Sequence, residues 1–340
     1  MLPIATGART VVAIGPADPG ILEGVSVGDR RRERVDLRDG PPGGWLALLA
    51  GVLRELAPLG PVPDGLRIAV ASDIAADGGG LASSAALAVA STRALVALNR
   101  LALTARQVAG VAFRAGADQR RGRQGIMEYT CAGVARADQA LLIECASAET
   151  QRVPIGARVL LVETRTPRGA DAALAQRRAE CDAAVARLKL DLPELHWLAS
   201  WPAAWLAQLK RALPQPARSR AVHVVGETAR TRFAAELLAK GRVKQFGELL
   251  YESHESCRRL FDASTQEADL VVSAARRAGA LGARLAGDGA TGTVVVVLNR
   301  GKGEEKVTEA IRRVYSRAYG RDPVIQAVRP SDGARVERVR

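Results

Sequence analysis

A glycine-rich segment followed by two serines contains the residue types that bind phosphate. It runs from Asp77 to Ala86 and reads DGGGLASSAA. Glycines let the backbone approach phosphate oxygens, and the N–H groups at a helix N-terminus point at an anion. Seryl hydroxyls bind phosphate or join the ligand shell of a hard cation. The residues expected to bind phosphate are Gly78, Gly79, Gly80, Leu81, Ser83, Ser84 and Ala85, and the two serines are also the expected metal ligands.

Two regular elements flank this segment and would position it. The apolar run Leu66–Ser72 predicts a buried strand before it, and the alanine-rich run Leu81–Leu98 predicts a buried helix after it. A strand, a glycine turn and a helix in this order favour phosphate binding at the start of the helix. The same pattern also fits an ordinary glycine turn followed by small residues that pack tightly, so both interpretations stay open on this segment alone.

The apolar periodicity along the chain predicts an α/β protein with two domains. Strands are expected at 10–15, 33–38, 66–72, 140–145 and 159–164, and helices between 43 and 58 and at about 81–98, 104–118 and 126–133, with Thr104 as an N-cap. Helices then dominate, at about 170–188, 194–211, 217–240, 243–257 and 264–278, before strands near 281–286 and 293–298, a helix at 303–318 and a strand at 323–328. Prolines and glycines around 154–168 indicate two domains, 1–160 and 161–340.

Several segments together resemble the galactokinase family of the GHMP kinases. GGGLASSAALAVAS at 78–91 is similar to the family's GLSSSAA loop, and GIMEY at 125–129 is similar to its GIMDQ. Further segments follow in the family's order: ALLIECASAETQRVPI at 140–155, RRAEC at 177–181, HVVGE at 223–227, FGELLYESHESCR at 246–258, GARLAGDGATG at 282–292 and PSDGA at 330–334. The resemblance covers essentially the whole chain.

This resemblance implies the two-domain α/β (α+β) fold of the GHMP kinases, with a ribosomal-protein-S5-like N-terminal domain and a ferredoxin-like C-terminal domain. It implies ATP and Mg²⁺ as cofactors, and transfer of phosphate from ATP to the anomeric hydroxyl of galactose or a related sugar. Glu128 stands where the family has its catalytic Asp, and it is the expected base; the other interpretation is a solvated carboxylate on a short helix. The loop expected to close over the substrates contains Gly287, Asp288, Gly289, Thr291 and Gly292.

Several positions depart from the family pattern. Gly116 stands at a metal-binding Glu and offers no ligand atom, Tyr129 replaces a Gln, and Leu174 replaces a Tyr that contacts the sugar. Phosphoryl transfer depends mainly on positioning and charge stabilisation, so these changes act on its main requirements. They leave a second hypothesis open, an ATP-binding pseudokinase that senses a ligand or regulates a partner.

The sequence also starts just after the GRVNLIGEHTDY segment that opens galactokinases. That segment carries an arginine that stabilises the transferring phosphoryl group in the family. Met1 falls where a Val is common, so a late start in the gene model and a genuine loss of the segment are both open.

Composition argues against two other classes of protein, nucleic-acid-binding proteins and membrane proteins. The formal net charge of +13 over 340 residues suggests nucleic-acid binding. Against this function, the basic clusters at 29–34, 120–123 and 335–340 are short, and no aromatic residues lie among them to stack on bases. No apolar run is long and uncharged enough to cross a membrane, and the four scattered cysteines fit reduced thiols. We therefore expect a cytoplasmic protein that does not bind nucleic acid as its main role, and the resemblance implies ATP and galactose or a related sugar as its partners. Its three histidines, His196, His223 and His254, are expected to be structural.

Overall fold

The computed structural model describes residues 1–28, 30–74, 82–119, 125–166, 170–287, 292–301 and 303–337, with backbone alone at 117–119 and 170–172. The chain forms two compact units, Met1–Arg152 with Pro330–Arg340, and Val153–Arg329. The C-terminal segment, expected in the second domain, groups with the first unit because its backbone bonds there: Ser331 N–H donates to Ala5 O at 2.9 Å. The boundary expected after residue 160 falls inside a strand of the second unit.

Four strands form the sheet of the first unit: β1 (Thr10–Pro16), β2 (Ile21–Ser26), β3 (Arg32–Asp36) and β4 (Leu66–Ser72). Their order is β1-β4-β2-β3, with β1 antiparallel and β2 parallel to β4. β2 is missing from the sequence-based expectation. The strand expected at 33–38 ends at Asp36, because the carboxylate of Asp36 accepts a hydrogen bond from Arg38 N–H at 3.0 Å and caps a short turn.

Four helices pack with this sheet around one apolar core: α1 (Leu46–Leu56), α2 (Ser83–Leu98), α3 (Ala105–Gln119) and α4 (Ile126–Val134). α3 approaches α1 and α4 closely, because small residues face each other there. A Cβ added at Gly51 would lie 3.1 Å from Ala115 O, and one at Gly133 would lie 3.1 Å from Ala109 Cβ. A hairpin of β5 (Gln139–Glu144) and β6 (Glu149–Pro154) follows, and β6 extends two residues past the boundary at Arg152.

The predicted N-cap of α3 is confirmed. Thr104 Oγ1 accepts a hydrogen bond from Gln107 N–H at 3.3 Å, and Gln107 Oε1 accepts one from Thr104 N–H at 2.9 Å. This reciprocal pair satisfies two backbone donors at the helix start, which fixes where α3 begins.

The second unit contains an antiparallel sheet with helices packed on it. Its strands are β7 (Arg158–Glu163), β8 (Gly282–Leu285), β9 (Thr293–Leu298) and β10 (Val324–Val328), in the order β10-β7-β9-β8. Its helices are α5 (Ala170–Leu188), α6 (Leu206–Ala212), α7 (Ala217–Ala239), α8 (Val243–Ser256), α9 (Gln266–Ala278) and α10 (Glu304–Tyr319).

The helix expected over 194–211 is wrong in its first part. Regular helix begins only at Leu206, after two short turns. Pro202 prevents a continuous helix, because proline lacks an N–H and keeps the residue before it extended; Trp201 has φ −66° and ψ 130°. Across the described ranges, no helix combines the length and apolar character that a membrane span requires.

Candidate active site

The first turn of α2 holds three of the residues that are predicted to bind phosphate: Ser83, Ser84 and Ala85. The helix begins at Ser83, and within its first turn Ala86 N–H donates to Ala82 O at 3.1 Å. Ser83, Ser84 and Ala85 therefore lie at the positive end of the helix dipole. This first turn contains no acidic residue, so no side-chain charge within it opposes an incoming phosphate.

Ala82 takes a left-handed conformation directly before this turn, with φ 54° and ψ 47°. A non-glycine residue in this region costs on the order of 1 kcal/mol and recurs at ligand-binding turns. Ala82 thereby sets the direction in which the chain enters α2. The expected phosphate ligands Gly78, Gly79, Gly80 and Leu81 lie outside the described residues, and their role stays a prediction.

Glu128 lies in the first turn of α4, which packs against α2 in the same unit. Its side chain is half-buried, which differs from the solvated carboxylate that the second interpretation expects. Burial and then the negative charge of Glu128 raise the pKa of Cys131, one turn further along α4, to about 12. The first turns of these two helices thus carry three of the seven expected phosphate ligands (Ser83, Ser84 and Ala85) and the expected base.

The PSDGA segment (330–334) is hydrogen-bonded to the C-terminal end of α4. Ala334 N–H donates to Ala132 O at 2.7 Å, and Gly333 N–H donates to Ala135 O at 2.9 Å. A Cβ added at Gly333 would lie 2.8 Å from Ala132 O, so a larger residue would push the segment off the helix. The sequence identified this segment only through its resemblance, because the partners are about two hundred residues apart in the chain.

Gly116 and Tyr129 form a complementary pair between α3 and α4. A Cβ added at Gly116 would lie 2.1 Å from Tyr129 Oη and 2.8 Å from its Cζ. The Tyr129 ring is fully buried and meets the Phe113 ring edge-on, with centroids 5.6 Å apart. The two departures from the family pattern at 116 and 129 are therefore one structural change, in which a tyrosine ring fills the space of the missing side chain.

The resemblance implies a Mg²⁺ site, and the described residues supply only part of the ligand set expected for it. Ser83 and Ser84 supply hydroxyl oxygens, which suit a hard cation. The carboxylate expected at Gly116 is replaced by the ring of Tyr129. Among the residues with described side chains, no three His, Cys, Asp or Glu side chains gather into a group that could bind a metal. Among the described side chains, the carboxylate part of such a site is therefore missing at position 116, and the residues described there do not complete a site for a metal held by the protein.

The expected substrate loop lies in the second unit, between β8 and β9. Both of its described ends are left-handed: Gly287 has φ +56° and Gly292 has φ +64°. Asp288, Gly289 and Thr291 lie outside the described residues, and their role stays a prediction. Leu174, which replaces a sugar-contacting Tyr in the resemblance, lies half-buried on α5.

Two of the three histidines are buried in the second unit. His223 Nδ1 lies 2.9 Å from Ser256 Oγ, and its ring stacks on Phe261 with centroids 4.7 Å apart. His254 contacts Asp269 and the backbone of Leu285, whereas His196 is exposed. The contacts of His254 link three elements next to the expected substrate loop, which sequence reasoning missed.

Two family models match the chain and define its class. The N-terminal domain of the GHMP kinases matches residues 47–135, and the C-terminal domain of the GHMP kinases matches residues 234–319. The first match covers nearly all of α1 to α4, which carry the candidate site. The fold and these matches are those of a GHMP kinase, and the expected two-domain α/β fold is confirmed.

Curated relatives narrow the class further. The chain is 34% identical over 340 residues to a galactokinase of Roseiflexus sp. (strain RS-1), covering 98% of this chain and 86% of the relative. It is 33% identical to a galactokinase of Streptomyces coelicolor, covering 98% of this chain and 88% of that one. The crystal structure of Lactococcus lactis galactokinase in complex with galactose shares the fold, with a TM-score of 0.90 at 21% identity over 98% of this chain and 88% of that one. The chain belongs to the galactokinase family.

Proposed function

We propose that the chain is a galactokinase-like sugar kinase that transfers the γ-phosphoryl group of ATP to the anomeric hydroxyl of galactose or a related sugar. One observation carries the proposal. α2, whose first turn is proposed to bind phosphate, packs against α4, whose first turn holds Glu128. The galactokinase names of the relatives support the same function, and nothing in them supports a ligand-sensing pseudokinase.

The described residues have separable roles in this proposal. The N–H groups of Ser83, Ser84 and Ala85 bind phosphate oxygens of ATP, which enters as its Mg²⁺ complex. Glu128 accepts the proton of the sugar hydroxyl as that oxygen attacks the γ-phosphorus. The bond between the γ-phosphorus and the bridging oxygen breaks, ADP leaves with that oxygen, and the sugar 1-phosphate remains. We place this reaction in the cytoplasm.

The base is tested by two substitutions at one position. Glu128→Gln keeps the size but cannot accept the proton, and we expect kcat to fall about 10²–10⁴-fold. Glu128→Asp keeps a carboxylate and restores the family's residue, so it should keep most of the activity. The assay measures ADP release with galactose and a panel of sugars, on the 340-residue chain and on a form extended by the family's N-terminal segment. Equal activity in Glu128→Gln, or absence of turnover from both forms with every sugar, would show that the proposal is wrong.

The proposed phosphate site is tested by introducing a negative charge into the first turn of α2. Ser83→Asp places a carboxylate where phosphate would bind, yet an acidic residue in the first helical turn stabilises the free protein by about 0.3–1 kcal/mol. Saturation with ATP at a hundredfold excess over Kd should add about 2.7 kcal/mol of stability to the unchanged protein. We expect Ser83→Asp to lose this gain and the neutral Ser83→Asn to keep most of it. A full ATP-induced melting shift in Ser83→Asp would refute the assignment.

A further inference from the structure

Three of the four tryptophans of the chain, Trp197, Trp201 and Trp205, lie in one short segment between α5 and α6 of the second unit. Trp197 is 53% exposed and Trp205 is 44% exposed. Trp201 is half-buried, meets the Trp205 ring edge-on and donates from Nε1 to Trp205 O at 3.3 Å. The segment 197–209 contains no charged residue. Exposed tryptophan rings on an uncharged surface are typical of a contact site, and we call this segment the tryptophan patch.

A small apolar core supports the tryptophan patch from below. Leu198 and Leu209 are buried within the patch and belong to the same core as Ala221 of α7. The rings of Trp197 and Trp205 therefore stand on a packed base. Because this base is already ordered, a partner that buries the two rings needs to immobilise little besides the rings themselves.

Two cations border the tryptophan patch at the end of α6. Lys210 and Arg211 directly follow the uncharged segment, and both are exposed. Arg211 Nε donates to Ala207 O at 3.4 Å, and neither cation forms an ion pair with another described residue. The patch therefore presents apolar rings with positive charge beside them.

An open groove between α7 and α8 of the same unit has the complementary character. Its volume is about 400 Å³, which lies within the range of pockets that hold a small ligand. Phe233, Leu237 and Leu249 supply its apolar lining. Leu237 is buried, whereas Phe233 is 50% exposed and leaves its ring open to a partner. We call this surface the α7–α8 groove.

The polar lining of the α7–α8 groove is acidic. Glu248 and Glu252 lie one helical turn apart on α8, and Lys244 lies one turn before them, so the lining has a net charge of −1 from two glutamates and one lysine. Neither glutamate forms an ion pair with another described residue. The charge beside this apolar groove is therefore opposite in sign to the charge beside the tryptophan patch.

The tryptophan patch and the α7–α8 groove belong to different parts of α7. Ala221 packs beneath the patch, and Phe233 lines the groove. At a rise of 1.5 Å per residue, these two residues lie about 18 Å apart along the helix axis. Within one chain the rings of Trp197 and Trp205 do not cover Phe233, because all three are exposed.

We propose that the tryptophan patch of one copy of this chain docks in the α7–α8 groove of a second copy. The indole rings fill the apolar part of the groove, and Lys210 and Arg211 face Glu248 and Glu252 of the second copy. The contact joins two different surfaces, so each pair keeps one free patch and one free groove, to which further copies add until a ring closes. Contact between two tryptophan patches would instead bring like charges together in a chain whose net charge is +13.

Sedimentation velocity of the unchanged chain tests the association directly. We expect the average mass to rise above that of one chain between about 1 μM and about 100 μM. Trp197→Ser combined with Trp205→Ser removes the patch, and Gln245→Trp fills the groove from its own rim; each should weaken association about tenfold or more. Leu59→Ser is the control, because it removes an apolar side chain that is 48% exposed in the first unit, and it should leave association unchanged.

Mixing these two variants distinguishes the proposed contact from a symmetric one. The patch-deleted variant keeps its groove and the groove-filled variant keeps its patch, so an equimolar mixture should form particles of two copies and nothing larger. If the groove-filled variant still associates by itself, the contact does not use the groove and the inference is overturned. An unchanged chain that stays monomeric up to about 100 μM would overturn it as well.

Charge reversal tests the same contact with exposed residues only. Glu248→Lys with Glu252→Lys reverses the groove and should weaken association, and Lys210→Glu with Arg211→Glu should do the same from the patch. A chain that carries all four substitutions should associate again, because opposite charges face each other once more. Association of the unchanged chain should also weaken as salt rises from about 0.1 M to about 1 M. If the fourfold variant stays as weak as the two double variants, the assigned pairing of patch and groove is wrong.

Discussion

Replacing Gly116 by a larger residue should destabilise the first unit because of Tyr129. A Cβ at position 116 would lie 2.1 Å from Tyr129 Oη, 2.8 Å from Cζ and 3.1 Å from Cε1. The ring cannot swing away easily, because it is fully buried and packed edge-on against Phe113. Overpacking of this kind costs about 1–3 kcal/mol, which outweighs the gain of about 0.5–1 kcal/mol from replacing a glycine within a helix. We expect Gly116→Ala to lose stability and Gly116→Glu to lose more.

A control glycine lies on the same helix. At Gly110, an added Cβ would meet only Arg114 Nη1, at 3.7 Å. Gly110→Ala should therefore gain about 0.5–1 kcal/mol from the lower backbone entropy of the unfolded chain. The measurement is urea unfolding followed by circular dichroism, together with Tm. A loss of about 1–3 kcal/mol corresponds to a fall of about 2–12 °C in Tm for a unit of this size.

A double-mutant cycle isolates the contact. Tyr129→Leu removes Oη, Cζ and Cε1 but keeps a buried apolar side chain. In that background Gly116→Ala should be neutral or stabilising, which gives a coupling energy of about 1–3 kcal/mol. If Gly116→Ala is as stable as Gly110→Ala in the original protein, or if the coupling is zero, the account of the pair is wrong. If the account is right, a carboxylate cannot be restored at 116 unless position 129 changes as well.

Three further outcomes follow from the second unit. Gly292→Ala should lower the free energy of unfolding in urea by about 1–3 kcal/mol, because φ is +64° and a Cβ would lie 2.4 Å from the Thr164 hydroxyl. The control Gly241→Ala, at φ +67° with no atom near the added Cβ, should lower it by about 1 kcal/mol. Equal losses in the two variants would show that the clash with the threonine hydroxyl does not contribute. Burial, with nearby arginine charges, lowers the pKa of His223 from 6.5 to about 4. As the pH falls, the unfolded chain therefore takes up this proton before the folded protein does. The free energy of unfolding should fall between pH 6.5 and about pH 4, by up to about 1.4 kcal/mol per pH unit. His223→Gln should flatten that slope in urea titrations, and an unchanged slope would contradict the origin of the effect. Thr265→Ala should cost about 1 kcal/mol, because Thr265 Oγ1 caps α9 by accepting from Ala268 N–H at 3.2 Å, and a loss below about 0.3 kcal/mol would count against this.

Local patterns predicted most of the secondary structure. The strand Leu66–Ser72 and the cap at Thr104 were predictable because an apolar run and a capping residue act within a few positions. β2 (Ile21–Ser26) was not predicted, because its short run contains a glycine and it is stabilised by pairing on both sides. The helix expected over 194–211 is shorter in the structure, because Pro202 is extended and interrupts a segment whose apolar spacing is helical.

Sequence predicts those candidate site residues that lie in short continuous segments. It does not predict how side chains from different helices fill the space between them. Ser83 and Glu128 were found from short segments that hold their positions at the starts of α2 and α4. The fit of Tyr129 against Gly116 requires two helices to be placed side by side, and sequence alone shows only two separate departures from a pattern. The contact between His254 and Leu285 joins residues thirty-one positions apart and depends on the register of α8 against β8.

The assignment of Pro330–Arg340 to the first unit has a consequence for folding during synthesis. The second unit is one continuous stretch, Val153–Arg329, so all of its residues leave the ribosome before the first unit is complete. α4 gains the hydrogen bonds from Gly333 and Ala334 only after the whole second unit has been synthesised. The unit whose synthesis begins first is therefore completed last, and until then the C-terminal end of the helix that carries Glu128 lacks these two bonds.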